Sequence, residues 1–227
     1  MKGYVIYLMI AICGLIATSC TYYPRLTSIP LIKEKGDTRI EGGITILVPN
    51  IQTSVSHGVT EKIAIQTTIS ANSYNYYGHG AIGLYQKVLK DRNIIELYGG
   101  FGYGSGNFDG TVTDNYQHGN YQMYFTQFNF GSVEKKTGNM EAGLGIKLGY
   151  IHTNMTVSTD IYHGFEHQNG IFVEPTGFFR CGGPKWKFHA ALGFGKWFQT
   201  SDNIEIHWFP VNFGLGVSYS FGGISNK

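Results

Sequence analysis

The stretch Phe209-Pro-Val-Asn-Phe-Gly-Leu-Gly-Val-Ser-Tyr-Ser-Phe221 alternates without a slip from Val211 onward. Phe209, Val211, Phe213, Leu215, Val217, Tyr219 and Phe221 fall on one face. Asn212, Gly214, Gly216, Ser218 and Ser220 fall on the other. A period of two is the signature of a β-strand, because successive side chains point to opposite faces. The contrast between the faces is unusual. One is large and apolar, and the other is small and glycine-rich. A strand with a solvated outer face carries Lys, Glu and Thr there instead. Bulky residues turned to lipid and small or polar ones turned to a narrow lumen fit the pattern better.

The same contrast recurs upstream. Trp186, Phe188, Ala190, Leu192 and Phe194 oppose Lys187, His189, Ala191, Gly193 and Gly195. Ala142, Leu144, Ile146, Leu148 and Tyr150 oppose Glu141, Gly143, Gly145, Lys147 and Gly149. Ile40, Ile44 and Ile46 oppose Arg39, Glu41 and Thr45, and Ile63, Ile65, Thr67 and Ile69 oppose Ala64, Gln66, Thr68 and Ser70. Segments of this kind are expected over 38–47, 51–58, 62–72, 77–89, 93–106, 119–133, 140–154, 169–180, 186–198 and 207–221. The faces of 77–89 and 119–133 do not separate cleanly. The predicted fold is all-β, a closed antiparallel up-and-down transmembrane barrel of about ten strands. The count falls to eight if 38–47 and 51–58 lie outside the barrel.

Composition agrees. Glycine supplies 32 of 227 residues, about twice the ordinary ~7%. Charged residues are 14% and aromatics 15%, against roughly 25% charged in a soluble domain. Low charge with many aromatics excludes a disordered chain. A net charge of +2 gives no electrostatic footprint for nucleic acid. Mean hydropathy of −0.11 excludes a bundle of apolar helices, since no stretch after residue 20 approaches ~18 apolar residues.

The first residues read as an address. Lys2 precedes an apolar run from Tyr4 to Ala17, too short for a comfortable span. It ends Ala17-Thr18-Ser19-Cys20, similar to a bacterial lipobox, which makes Cys20 the expected lipidation site. Residues 1–19 are read as a signal peptide, 20–36 as a lipid-anchored tether and 37–227 as the barrel. An ordinary secretory signal and an uncleaved anchor are the alternatives. With Cys13 and Cys20 so assigned, Cys181 has no partner for a disulfide.

Turns of two kinds are expected. Those at 59–61, 90–93, 135–139 and 181–185 are short; those at 107–118 and 155–168 are long. Short periplasmic turns and longer outer loops alternate in outer-membrane barrels. An even strand count then returns the C-terminus to the side of the N-terminus, as an anchor in the inner leaflet requires. Aromatics gather at strand ends, as a girdle at the membrane interface would. Phe179, Trp186, Phe188, Tyr219 and Phe221 fall near the short turns. Tyr74, Tyr76, Tyr77, Tyr103, Tyr121, Tyr124, Trp197 and Trp208 fall near the long loops.

The ending Gly216-Val-Ser-Tyr-Ser-Phe221 resembles the C-terminal strand of small Gram-negative outer-membrane β-barrel proteins. In that porin-like family a terminal aromatic is read by the barrel-assembly machinery. Here six residues follow Phe221, a departure from the pattern. The resemblance implies a membrane barrel, with membrane lipid and the assembly machinery as partners.

Parity places Arg39, Glu41, Glu96, Glu141, Lys147, Glu174, Arg180, Lys187 and His189 in the lumen. Opposite charges inside a small barrel pair, because burying one alone is costly. Three readings stay open: a structural plug of ion pairs, a constriction selecting a small polar solute, and acid–base work by a glutamate pair. His163-Gly-Phe-Glu166-His167 matches an inverted zinc-protease pattern, but that chemistry needs a helix and the motif falls in an expected loop. Metal capture by these residues, with Asp160, is the lesser alternative to a plain polar loop. The glycines at 99, 100, 102, 104 and 106 interleave with Phe101 and Tyr103 on a strand, and no helix follows to cradle a phosphate. They are read as relief of crowding on the inner wall. His57 and His152 share the lipid-facing parity without a serine to make a dyad.

The functional expectation is therefore a non-enzymatic outer-membrane lipoprotein barrel. It is porin-like or structural, with no metal or cofactor, anchored by its N-terminus on the periplasmic side. Its partners would be a small polar solute or an extracellular ligand of its loops. A lipid-tethered periplasmic barrel of lipocalin type, with an apolar ligand inside, is the alternative. A lipid-modifying enzyme comes third.

Overall fold

The structure is a computed structural model. It describes residues 26–46, 49–89, 92–110, 115–133, 139–159, 162–200 and 211–222. The signal segment, Cys20 and the first part of the expected tether lie outside these residues, as does Trp208.

Eleven strand segments follow in order: β1 Thr38–Thr45, β2 Asn50–Gly58, β3 Ile63–Ala71, β4 Asn75–Val88, β5 Asn93–Gly110, β6 Asn115–Val133, β7 Met140–Thr159, β8 Tyr162–Gly182, β9 Trp186–Phe194, β10 Lys196–Gln199 and β11 Val211–Phe221. Every pairing is antiparallel; all join neighbours in the chain except β8 with β10, β9 with β11, and β1 with β11, the last of which closes the ring. β9 and β10 share one register against β8 and form a single stave broken at Gly195. In that register Phe194 would face Pro175, which has no N–H to donate, so the ladder lapses there. The result is a closed antiparallel barrel of ten staves, with β1 and β2 part of the wall.

The alternation resolves as lipid-type residues outward. Ile44, Ile51, Ile69, Ile82, Leu84, Leu144, Leu148, Ile171, Phe188 and Phe194 are all exposed. Arg39, Glu41, Gln66, Glu96, Gln127, Glu141 and Arg180 are buried. This is inside-out relative to a soluble barrel, and it is the arrangement that hydrocarbon demands. It removes the ground for the lipocalin-type alternative, which needs the large apolar face inside.

Two expectations about the barrel's outer end need correction. The segments 107–118 and 155–168 are not long loops. Asn107 to Gly110 pair with Asn115 to His118, and β7 and β8 stay in register up to Thr159 and Tyr162. β8, at 21 residues, is roughly 70 Å long, where a span needs ~9–11 residues. The four staves β5 to β8 thus rise far above the others as a tall wall. Their outward residues change character at a row of tyrosines, Tyr76, Tyr103, Tyr124 and Tyr150, all exposed. Beyond this row β7 presents His152, Asn154, Thr156 and Ser158. The apolar belt ends at this row, and the ladder continues beyond it.

The second correction concerns the girdle. Tyr77, Tyr121 and Trp197 point inward, not to the interface. They join Met123, Phe125, Ile151, Met155, Val157 and Phe172 in a buried cluster on the inner face of the tall side. The inner face is therefore small only in part. Inward glycines make the room. Gly83, Gly100, Gly104 and Gly149 lie directly across from Tyr98, Phe125, Tyr121 and Phe172 on adjacent strands. A methyl group at any of them would collide with the ring it faces. Each ring lies over the bare backbone of its partner, the packing known to support sheet glycines.

Candidate functional site: a plugged lumen

The segment 26–36, expected in the tether, runs through the barrel instead. Thr27, Ser28, Ile29, Leu31 and Ile32 are buried. The reason is apolar surface. Leu26, Ile29, Leu31 and Ile32 find sockets on the inner wall where glycine leaves space. Leu31 packs on Gly131 and Ile29 on Gly145, where an added methyl would lie only 2.6 and 2.9 Å from those side chains. Leu26 fills the space over Gly214 and Gly193. Leu31 adopts a left-handed φ of 52° just after Pro30. That conformation is strained for a residue with a β-carbon. It turns the chain so that both Leu31 and Ile32 reach the wall.

A segment without secondary structure must find partners for its own backbone once water is excluded. The wall supplies them. Gln66 and Gln127 donate from Nε2 to the Ser28 carbonyl at 3.0 and 2.8 Å. Gln52 donates to the Leu26 carbonyl at 2.8 Å, and Arg180 to the Ile29 carbonyl at 2.5 Å. The Ile32 N–H donates to Glu96 Oε1 at 2.7 Å, and the Ser28 hydroxyl to Glu41 Oε2 at 2.6 Å. At the short-turn end Lys33 N–H donates to Asp37 Oδ2 at 2.9 Å.

Five of the nine lumen residues named from the sequence meet in one cluster beneath this segment. Arg39 on β1 donates to both carboxylate oxygens of Glu141 on β7, at 2.6 and 3.0 Å. Arg180 on β8 reaches Glu141 at 3.2 Å and also pairs with Glu41. Lys187 stands 3.5 Å from Glu141, and Lys33, from the threaded segment, 3.4 Å. Two carboxylates thus hold four cations, mostly by charge-assisted bonds shielded from water. Because β1 and β7 are far apart around the ring, the Arg39–Glu141 pair crosses the lumen.

The other four are placed differently. Glu96 is fully buried but serves the plug, accepting also from Asn129 Nδ2 at 2.9 Å. Lys147 and Glu174 face each other in register higher up, and the Lys147 ammonium lies 4.9 Å from the Phe125 ring centre. His189 borders a small cavity of about 40 Å³ with Glu41, Arg180 and Thr27. Its Nδ1, with Thr27 Oγ1 and Gln52 Oε1, lacks a protein hydrogen-bond partner. Leu26, Ile29, Phe178 and Ala191 complete its lining, which is mixed in character.

Sequence reasoning missed Lys33, Ser28, Gln52, Gln127 and Asn129. Their signal was inner-face parity for the wall residues. The plug residues carried no period at all.

The other candidates resolve simply. His163 and His167 sit four positions apart on β8, which puts them about 13 Å apart on a strand. No helix brings them together. His163 pairs with the Ser158 hydroxyl and His167 with Asn154. Asp160 and the Glu166 side chain lie outside the described residues. Among the described residues no group of three metal-type ligands occurs. His57 bonds the Thr38 hydroxyl at 2.7 Å. Cys181 is free and exposed.

No family model matches the chain, and no curated protein matches it in sequence. Solved structures do resemble it. The outer membrane protease OmpT from Escherichia coli superposes with a TM-score of 0.53 at 8% identity, over 82% of this chain and 93% of that one. The N-terminal β-barrel domain of Pseudomonas aeruginosa OprF gives 0.36 at 14% identity, over 82% and 98%. The translocator domain of the autotransporter NalP from Neisseria meningitidis gives 0.33 at 11%, over 82% and 86%. The likeness to OmpT is one of fold: this chain has the architecture of an outer-membrane β-barrel.

Proposed function

We propose that this protein is a self-plugged barrel of the outer membrane, with a structural or surface-presenting role and no solute pathway. The observation that carries the reading is the bonding of residues 26–36. Their backbone is satisfied by side chains from at least five wall strands. A porin keeps its lumen polar and water-filled. Here apolar side chains of the chain itself occupy the lower lumen, an ion pair crosses it, and aromatic rings pack on the inner face of the tall side.

The exposed belt of Ile, Leu, Phe and Trp supports residence in a membrane, and the long-strand end supports the usual outward orientation. In this reading the tall wall of β5 to β8 is the part offered to the exterior. Lipidation at Cys20 belongs to the same proposal, on the strength of the Ala-Thr-Ser-Cys sequence. So does a non-enzymatic role, on the ground that the buried carboxylates are engaged with cations and with the plug. The test is conductance of the folded protein in a planar bilayer. Silence on insertion supports the plugged reading. Regular steps would replace it with a selective pore.

A further inference from the structure

The direction in which the plug runs carries a topological consequence. Gly36 donates its N–H to the Gly58 carbonyl at 2.7 Å, at the short-turn end where β1 starts and β2 stops. Ile32 lies near Glu96, three residues above the start of β5. Ser28 lies at the height of Glu41 and Gln127, further up the wall. Leu26 reaches Gln52 and the bare backbone of Gly214. Gly214 is the partner of Thr45, the last residue of β1. Read from residue 36 back to 26, the chain climbs from the short-turn end to the upper rim of the barrel's short side.

We propose that the chain enters the lumen through the long-strand mouth, so that the protein's N-terminal part lies on the same side as the β5–β8 wall. This rests on the outer-membrane reading. It places that part at the cell surface, opposite to the periplasmic anchoring expected from strand count alone. The path back to the short-turn end is occupied by residues 27–36 themselves.

Membrane-impermeant maleimide labelling of whole cells tests this. In a Cys181→Ser background, three single variants are compared: Tyr22→Cys, Thr156→Cys on the outer part of β7, and Gly183→Cys in a short turn. The expected result is that Tyr22→Cys and Thr156→Cys label on intact cells, and Gly183→Cys only after permeabilisation. Labelling of Tyr22→Cys only in permeabilised cells, together with Gly183→Cys, would overturn the threading. No labelling of Tyr22→Cys under either condition would overturn it too, since a chain leaving the mouth meets solvent. Equal labelling of Thr156→Cys and Gly183→Cys on intact cells would remove the outer-membrane reading and the inference with it. The substitutions are at positions outside the plug contacts. Resistance of the folded band to detergent at room temperature checks each variant's fold.

Discussion

Arg39 and Glu141 stand 102 positions apart in the chain, on staves that are not neighbours, yet the guanidinium grips both carboxylate oxygens. Both side chains are essentially inaccessible. A buried pair adds little over a well-packed apolar pair, but breaking one leaves an unmatched charge at a cost of about 3–5 kcal/mol. Glu141 also serves Arg180, Lys187 and Lys33. Glu141→Ala is therefore expected to destabilise the barrel by at least that much. Glu141→Gln, which keeps acceptor geometry, should cost less. Urea unfolding in detergent micelles, followed by tryptophan fluorescence, measures both.

The inner-wall glycines predict where the plug can be dislodged. Gly145→Leu would drive a side chain into Ile29, and Gly131→Leu into Leu31. Overpacking of this kind costs roughly 1–3 kcal/mol, and the threaded segment, which has no ladder of its own, is the part that yields. Both variants should let a protease cut within residues 26–36 while the barrel stays resistant. Gly80→Ala and Gly99→Ala, where an added methyl meets nothing within 4 Å, should behave as the parent protein does.

Position along the outer surface should decide the cost of a charge. Ile146 lies within the apolar belt, two pairs below the Tyr150 row on β7. Asn154 lies four residues above that row. Ile146→Arg should cost ~2–4 kcal/mol in a bilayer, and Asn154→Arg roughly 0–1. Refolding titrations into liposomes compare them. Equal costs would argue against the membrane boundary drawn by the tyrosines.

The aromatic cluster on the tall side should act as a second, independent core. Phe172 and Trp197 are both buried there. Phe172→Ala should cost about 3–5 kcal/mol without exposing the plug, because the cluster and residues 26–36 occupy different parts of the lumen. Unfolding free energy and plug proteolysis, measured on one preparation, separate the two effects.

Much of the barrel was legible because lipid imposes a strict two-residue rhythm. Val211 to Phe221, Trp186 to Phe194 and Glu141 to Tyr150 each kept the rhythm, and their faces follow from it. The strands 77–89 and 119–133 blurred because both of their faces carry large rings. Tyr76 and Tyr124 turn outward, while Tyr77, Tyr121 and Phe125 turn inward over glycines. That pairing depends on cross-strand register, which alternation within one strand does not contain. The plug was missed for a different reason. Leu26 to Ile32 has no period, and Pro30 with flanking charges reads as a linker. Its four large apolar residues in seven positions were the available signal, since an exposed tether has no reason to carry them. The lumen charges were nameable by parity, but which of them meet across the barrel depended on closure.

In the proposed reading the barrel is closed by its own chain. The most direct measurement is current through single molecules of the unmodified, folded protein in a planar lipid bilayer under applied voltage. Insertion, confirmed by flotation with liposomes, is expected without discrete conductance steps. Steady, uniform steps from the unmodified protein would contradict it, because ions would then be crossing a lumen that residues 26–36 and the Arg39–Glu141 pair are held to fill.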